Sequence, residues 1–121
     1  MKLEAILSAE PGNSTALLWL GIVAEAKGNR AAAIGYYRTA VASNPDEPEA
    51  CNNLAYLLAE SGSGLDEALK YAQRAAELAP QSPAYADTLG WILYRQGLYP
   101  SAVKYLEQAS ANPSDLRWRY Q

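Results

Sequence analysis

Residues 50–80 read ACNNLAYLLAESGSGLDEALKYAQRAAELAP, and the landmarks of this stretch recur on either side of it. Leu54-Ala55 is matched by Leu20-Gly21 upstream and Leu89-Gly90 downstream, at steps of 34 (20 to 54) and 35 (54 to 89) residues. Ala68 is matched by Ala33 and Ala102, Ala75 by Ala40 and Ala109, and Pro80 by Pro45 and Pro113. Four landmarks returning together at this period mark a stacked-repeat architecture, in which each unit buries its apolar face against its neighbours.

Within each unit the apolar residues recur at threes and fours, the period of one helix face. Ala16, Leu17, Leu20, Val23 and Ala24 form the first stripe. Ala50, Cys51, Leu54, Leu57 and Leu58 form the second, and Ala86, Leu89, Ile92 and Leu93 the third. Each stripe predicts the buried face of a first helix. Glycine then ends the pattern in Lys27-Gly28-Asn29, Ser61-Gly62-Ser63-Gly64 and Gln96-Gly97, the usual chemistry of a helix stop. Second helices are predicted over 31–43, 66–78 and 99–111. Start signals agree: Ser82 before Pro83, Pro48 behind Asp46 and Glu47, and Asp66-Glu67 where negative charge suits exposed N–H groups.

The small residues have a packing reason. Gly21, Ala55 and Gly90 are expected where the paired helix passes closely, and Ala33, Ala68 and Ala102 face them for the complementary reason. The extra residue of the middle unit falls in its glycine-serine turn, where lengthening a loop is cheap. Leu3, Ile6 and Pro11 are spaced like Tyr37, Ala40 and Pro45. The predicted organisation is one domain over 1–121: the end of a preceding unit (1–13), three units (14–47, 48–82 and 83–114), and the start of a further helix (115–121).

The chain resembles the tetratricopeptide repeats, whose unit is about 34 residues of helix–turn–helix. The resemblance rests on the landmarks above, with Gly28 and Tyr37 in the first unit and Gly97 in the third, and covers essentially the whole chain. Departures are few. The family's early aromatic is replaced by Leu17, Cys51 and Ala86, and the aromatic of the second helix by Ala72 and Leu106. The resemblance implies an all-α, right-handed superhelical α-solenoid whose first helices line a concave side.

On that implied concave side stand Ile22, Tyr56 and Trp91, just after the Leu-small pairs. One turn before them lie Leu18, Asn52 and Asp87. One turn after lie Glu25, Ala59 and Tyr94, beside Ala26, Glu60 and Arg95. The expected partner-binding residues are Leu18, Ile22, Asn52, Tyr56, Asp87, Trp91, Tyr94 and Arg95. They make a mixed groove suited to an apolar or aromatic-rich peptide or partner helix. The residues leave a second reading of Tyr56 and Trp91, that they fold back over neighbouring helices and pad the stack. The clamp with which some family members grip an acidic C-terminal peptide is not expected. Asn53 matches one of its asparagines, but Leu18, Asp87 and Trp91 stand where other members of that cluster would be, and they cannot bind a carboxylate.

Composition narrows the function further. Half of the 121 residues are hydrophobic, 19% are charged, and the formal net charge is −3. Nine tyrosines and no phenylalanine carry the aromatic load with three tryptophans. No basic cluster tracks a phosphate backbone, so nucleic acid is not an expected partner. No apolar stretch approaches the ~20 residues of a membrane span, so direct membrane insertion is not expected. With one cysteine and no histidine, neither an internal disulfide nor a zinc site can be built. Cys51 lies on a buried stripe and reads as packing. Asp46, Glu47 and Glu49 read as a solvated helix start, and the glycine-serine turn lacks the lysine and strand of a phosphate loop. Trp19 and Trp118 are open between core, cap and surface, and Arg117 and Arg119 flank the latter. Neither catalysis nor a cofactor is expected. The rival to partner binding is self-association, by stacking or swapping exposed terminal helices.

Overall fold

The computed structural model describes residues 5, 9, 10, 12–62 and 64–109. Among these residues are six helices and no strand: α1 (Ser14–Ala26), α2 (Arg30–Ser43), α3 (Pro48–Ser61), α4 (Leu65–Leu78), α5 (Pro83–Arg95) and α6 (Tyr99–Ala109). None is long and apolar enough to cross a membrane. The second helices of the first two units begin one residue earlier than the sequence predicts. Leu3, Ile6, Pro11, Ser63, Pro113 and residues 115–121, with Arg117, Trp118 and Arg119, lie outside the described residues.

Each helix start has a local cause. Asn13 and Asn29 cap α1 and α2, their side-chain oxygens accepting from the backbone N–H of Ala16 at 3.0 Å and Ala32 at 3.2 Å. Ser82 caps α5 in the same way, ahead of Pro83. Glu47 and Gly64, ahead of α3 and α4, make no side-chain cap bond; Pro48 and the acids Asp66 and Glu67 supply the start signal instead. Asn29→Ala is expected to lower stability by about 1 kcal/mol, read from chemical denaturation. An unchanged midpoint would mean that the α1–α2 turn is held by packing alone. The turns close on Gly28, Gly62 and Gly97, all left-handed, at φ +77°, +80° and +82°.

The helices pair as α1 with α2, α3 with α4 and α5 with α6. Each pair then packs on the next through α2 against α3 and α4 against α5, and α3 also meets α5. The result is an all-α solenoid with one continuous core. Tyr37, Cys51, Leu54, Leu89 and Ile92 are its largest fully buried side chains. Val23, expected on the first stripe, is only half-buried.

The small residues of the Leu-small pairs are set by what faces them. A Cβ built on Gly21 would meet the Tyr37 ring at 2.6 Å from Cδ1 and 2.9 Å from Cζ, with Cε1 closer still. On Gly90 it would meet Leu106 Cγ and Cδ2 at 2.8 Å and the Ala102 carbonyl at 3.2 Å. In the middle unit the equivalent residues are Ala55 and Ala72, both fully buried. A glycine on the first helix thus accompanies a large side chain on the second, and alanine accompanies alanine.

Polar contacts join residues about one unit apart. Arg30 pairs with Glu60 at 3.1 Å, Arg38 grips both oxygens of Glu67, and Arg74 pairs with Asp46. Gln96 donates to Asp66 at 3.0 Å and Gln108 to the Pro80 carbonyl at 2.9 Å. The bonds from Arg38 hold the Glu67 carboxyl below the usual carboxylate range. Exposed pairs of this kind contribute about 0–1 kcal/mol each, so they set unit-to-unit register more than stability.

Candidate functional site

Side chains of α1, α3 and α5 meet in one patch of surface. At its centre Tyr56 of α3 and Trp91 of α5 stack at 5.1 Å between ring centroids, 29° from parallel. The Arg95 guanidinium lies 5.4 Å from the centre of the Trp91 ring and donates to the Ala59 carbonyl at the end of α3. These residues are 35 positions apart in the chain (56 to 91), so the fold makes from them a single aromatic-cationic layer. Both rings are half-buried: they pack partly on the core and keep part of their surface in solvent.

Of the eight expected groove residues, the structure brings Asn52, Tyr56, Trp91 and Arg95 together, with Ile22 of α1 and Asp87 of α5 half-buried. Leu18 is a correction. It is 4% exposed and belongs to the core cluster. An apolar branched side chain gains by folding down onto that cluster, whereas the polar Asn52 and Asp87 at equivalent positions are only half-buried. Ala59 is fully buried as well. Tyr94 is exposed and packs edge-on against Tyr99 at 5.5 Å, at the α5–α6 turn. Trp19 is exposed, and Cys51 is fully buried, where loss of solvent raises its thiol pKa.

Beside the aromatic layer is a cleft of about 240 Å³, lined by Glu25, Asn52, Asn53, Tyr56, Ala84 and Thr88. Thr88 and the lining role of Asn53 were not expected from the sequence. Their signal was two polar residues at the same place in successive units (53 and 88), on a helix face otherwise apolar. Two larger clefts, of about 420 and 440 Å³, are lined by residues of α4, α5 and α6 and of α2, α3 and α4.

Glu25 connects the cleft to the core. The Tyr37 hydroxyl donates to Glu25 Oε1 at 2.6 Å. Burial first, and then the bond and charge of Glu25, push the Tyr37 phenol far above its ordinary value of 10.0, and the nearby Asn53 amide opposes them. A raised folded-state pKa means that the unfolded chain loses this proton first. The associated stability is therefore complete below pH 10 and declines as pH rises above it. Tyr37→Phe is expected to flatten the alkaline limb of the stability–pH curve, measured by urea unfolding from pH 8 to pH 11. An alkaline limb as steep as the wild type's would remove Tyr37 as its cause.

Comparison with known proteins agrees with this architecture. Family models described as tetratricopeptide repeat match residues 47–113 and 2–48. A TPR repeat-containing protein of Pseudomonas aeruginosa is 42% identical over 72 residues, 60% of this chain and 12% of that protein. A probable biofilm formation methyltransferase, WspC, of Pseudomonas putida is 36% identical over 79 residues, 65% of this chain and 18% of that protein. The matched segments are thus small parts of both relatives. Among solved structures, the MamA protein superposes with a TM-score of 0.76 at 22% identity, covering 88% of this chain and 58% of that one. A second MamA structure, from AMB-1, gives 0.77 at 20% identity, covering 93% and 61%. Likeness at this identity concerns the fold.

Proposed function

The chain belongs to the tetratricopeptide-repeat family of protein-interaction scaffolds, and on that premise we propose that it holds a peptide or helix of a partner protein in its inner groove. The observation that carries this is the Tyr56–Trp91 stack, half in solvent, with Arg95 laid over it. Large aromatic side chains lose little conformational freedom on binding and anchor interfaces more often than other types. The stack offers an apolar or aromatic partner side chain a flat surface, while Asn52 and Asp87 provide polar edges. In this proposal the chain binds and does not catalyse. The test is affinity capture on the 121-residue chain, with Tyr56→Ala/Trp91→Ala as the control.

One observation favours self-association as a second reading. Val103 on α6 is 49% exposed, and Leu98 and Tyr99 nearby are also exposed. The equivalents of Val103 in the earlier units, Ile34 and Leu69, are partly buried against the core. An apolar strip of this kind suits stacking by a second copy. Mass in solution across a range of protein concentrations separates the readings: a strict monomer at high concentration argues against stacking, and a concentration-dependent dimer lost in Val103→Glu supports it.

A further inference from the structure

We propose that the cleft between α1, α3 and α5 receives an arginine side chain of the bound partner segment. The proposal rests on the groove reading above and names the chemistry that the groove selects.

The argument is an inventory of hydrogen-bonding capacity. Asn52 Oδ1 is buried with no hydrogen-bond partner. Buried acceptors left in this state are uncommon and costly, and they mark places where a donor is missing. Thr88, itself 2% exposed, uses its only hydroxyl proton on the Ala84 carbonyl at 3.1 Å, so its oxygen has only lone pairs left to offer. Glu25 accepts one bond from Tyr37, and a carboxylate can accept about four. The polar wall of the cleft therefore offers acceptors from Asn52, Thr88 and Glu25 and carries a negative charge, and its side-chain donors are the amide N–H groups of Asn52 and Asn53.

The remaining wall includes Tyr56, an aromatic ring. A group matching this wall has several N–H donors, a positive charge, and a flat apolar face. Guanidinium has five donors in one plane and stacks on aromatic rings, whereas a lysine ammonium is a compact, strongly hydrated point charge. The chain's own Arg95 makes the same kind of contact over Trp91, with one donor on a carbonyl. A cleft of about 240 Å³ has room for the guanidinium and its methylene stem.

A random decapeptide library displayed on phage tests the proposal. It is selected on the wild-type chain and counter-selected on Tyr56→Ala/Trp91→Ala. The expected pool is held by the wild type, is lost on the double variant, and has arginine at one position. In a peptide synthesised from that pool, replacing the arginine by citrulline, its uncharged isostere, should weaken binding at least tenfold. Glu25→Gln, which still accepts from Tyr37, should weaken it several-fold, and the control Glu77→Gln should not. Asn52→Ala should weaken binding with Tm unchanged or raised, because it removes an unpaired buried acceptor. A pool that depends on Tyr56 and Trp91 without arginine enrichment overturns the arginine assignment and leaves the groove reading standing. A pool that ignores the double variant overturns both. Lysine enriched equally, citrulline bound equally, or Glu77→Gln as weakening as Glu25→Gln reduces the effect to general attraction to an acidic chain and overturns the assignment.

Discussion

Alanine at both Tyr56 and Trp91 is expected to lower affinity for the captured partner at least a hundredfold while the chain stays folded. Anchor aromatics contribute about 2 kcal/mol or more each when truncated, and about 1.4 kcal/mol is a factor of ten, so two of them acting together exceed that threshold. The structural cost is smaller because both rings are only half-buried. Their mutual stacking is worth about 0.5–1.5 kcal/mol beyond area, and the remaining contact with the core adds a similar amount. Far-UV circular dichroism should be unchanged and Tm should fall by about 10 °C or less. Isothermal titration with the captured partner reads the affinity. A double variant that is unfolded at 25 °C would show the rings to be chiefly structural, and one that binds like the wild type would remove them from the interface.

The largest expected stability effect is at Gly21. Alanine there places a methyl group against a ring that cannot step aside: Tyr37 is fully buried and its hydroxyl is tied to Glu25. Alanine normally favours a helix over glycine by about 0.5–1 kcal/mol, so propensity alone predicts stabilisation. Overpacking costs about 1–3 kcal/mol or more, and with the ring atoms this close the upper end applies. The expected result is a loss of about 2–3 kcal/mol in urea unfolding. Gly90→Ala should cost less, since Leu106 can change rotamer where the tyrosine ring cannot. The double variant Gly21→Ala/Tyr37→Ala recreates the alanine pair found at Ala55 and Ala72, and should lose less than the sum of its single changes. A Gly21→Ala chain as stable as the wild type would mean that α1 and α2 are not held at this separation.

How much of this was legible beforehand depended on how local each cause is. The unit length, the six described helices, the glycine turns and the smallness of Ala33, Ala68 and Ala102 all follow from patterns within one unit, repeated three times. The pairing of Gly21 with Tyr37 was half legible: closeness was expected, but not which side chain enforced it. Leu18 was misplaced because position on a helix face says where a side chain starts, and its apolarity decided that it folds inward. The orphan oxygen of Asn52 had no signal in the sequence, since a missing donor is a property of everything around an atom.

The sequence by itself determined that this chain is a stack of helical hairpins, because helix period, caps, turns and small contacts are short-range and recur often enough to reinforce one another. Only the tertiary structure decided that Tyr56 and Trp91 form one layer with Arg95, that Leu18 is core, and that Glu25, Asn52 and Thr88 share a cleft. The physical reason is separation along the chain. These groups come from different units, and their distances depend on how successive hairpins tilt on one another. That tilt is the summed outcome of packing across the whole interface between units, which no single residue or short stretch specifies.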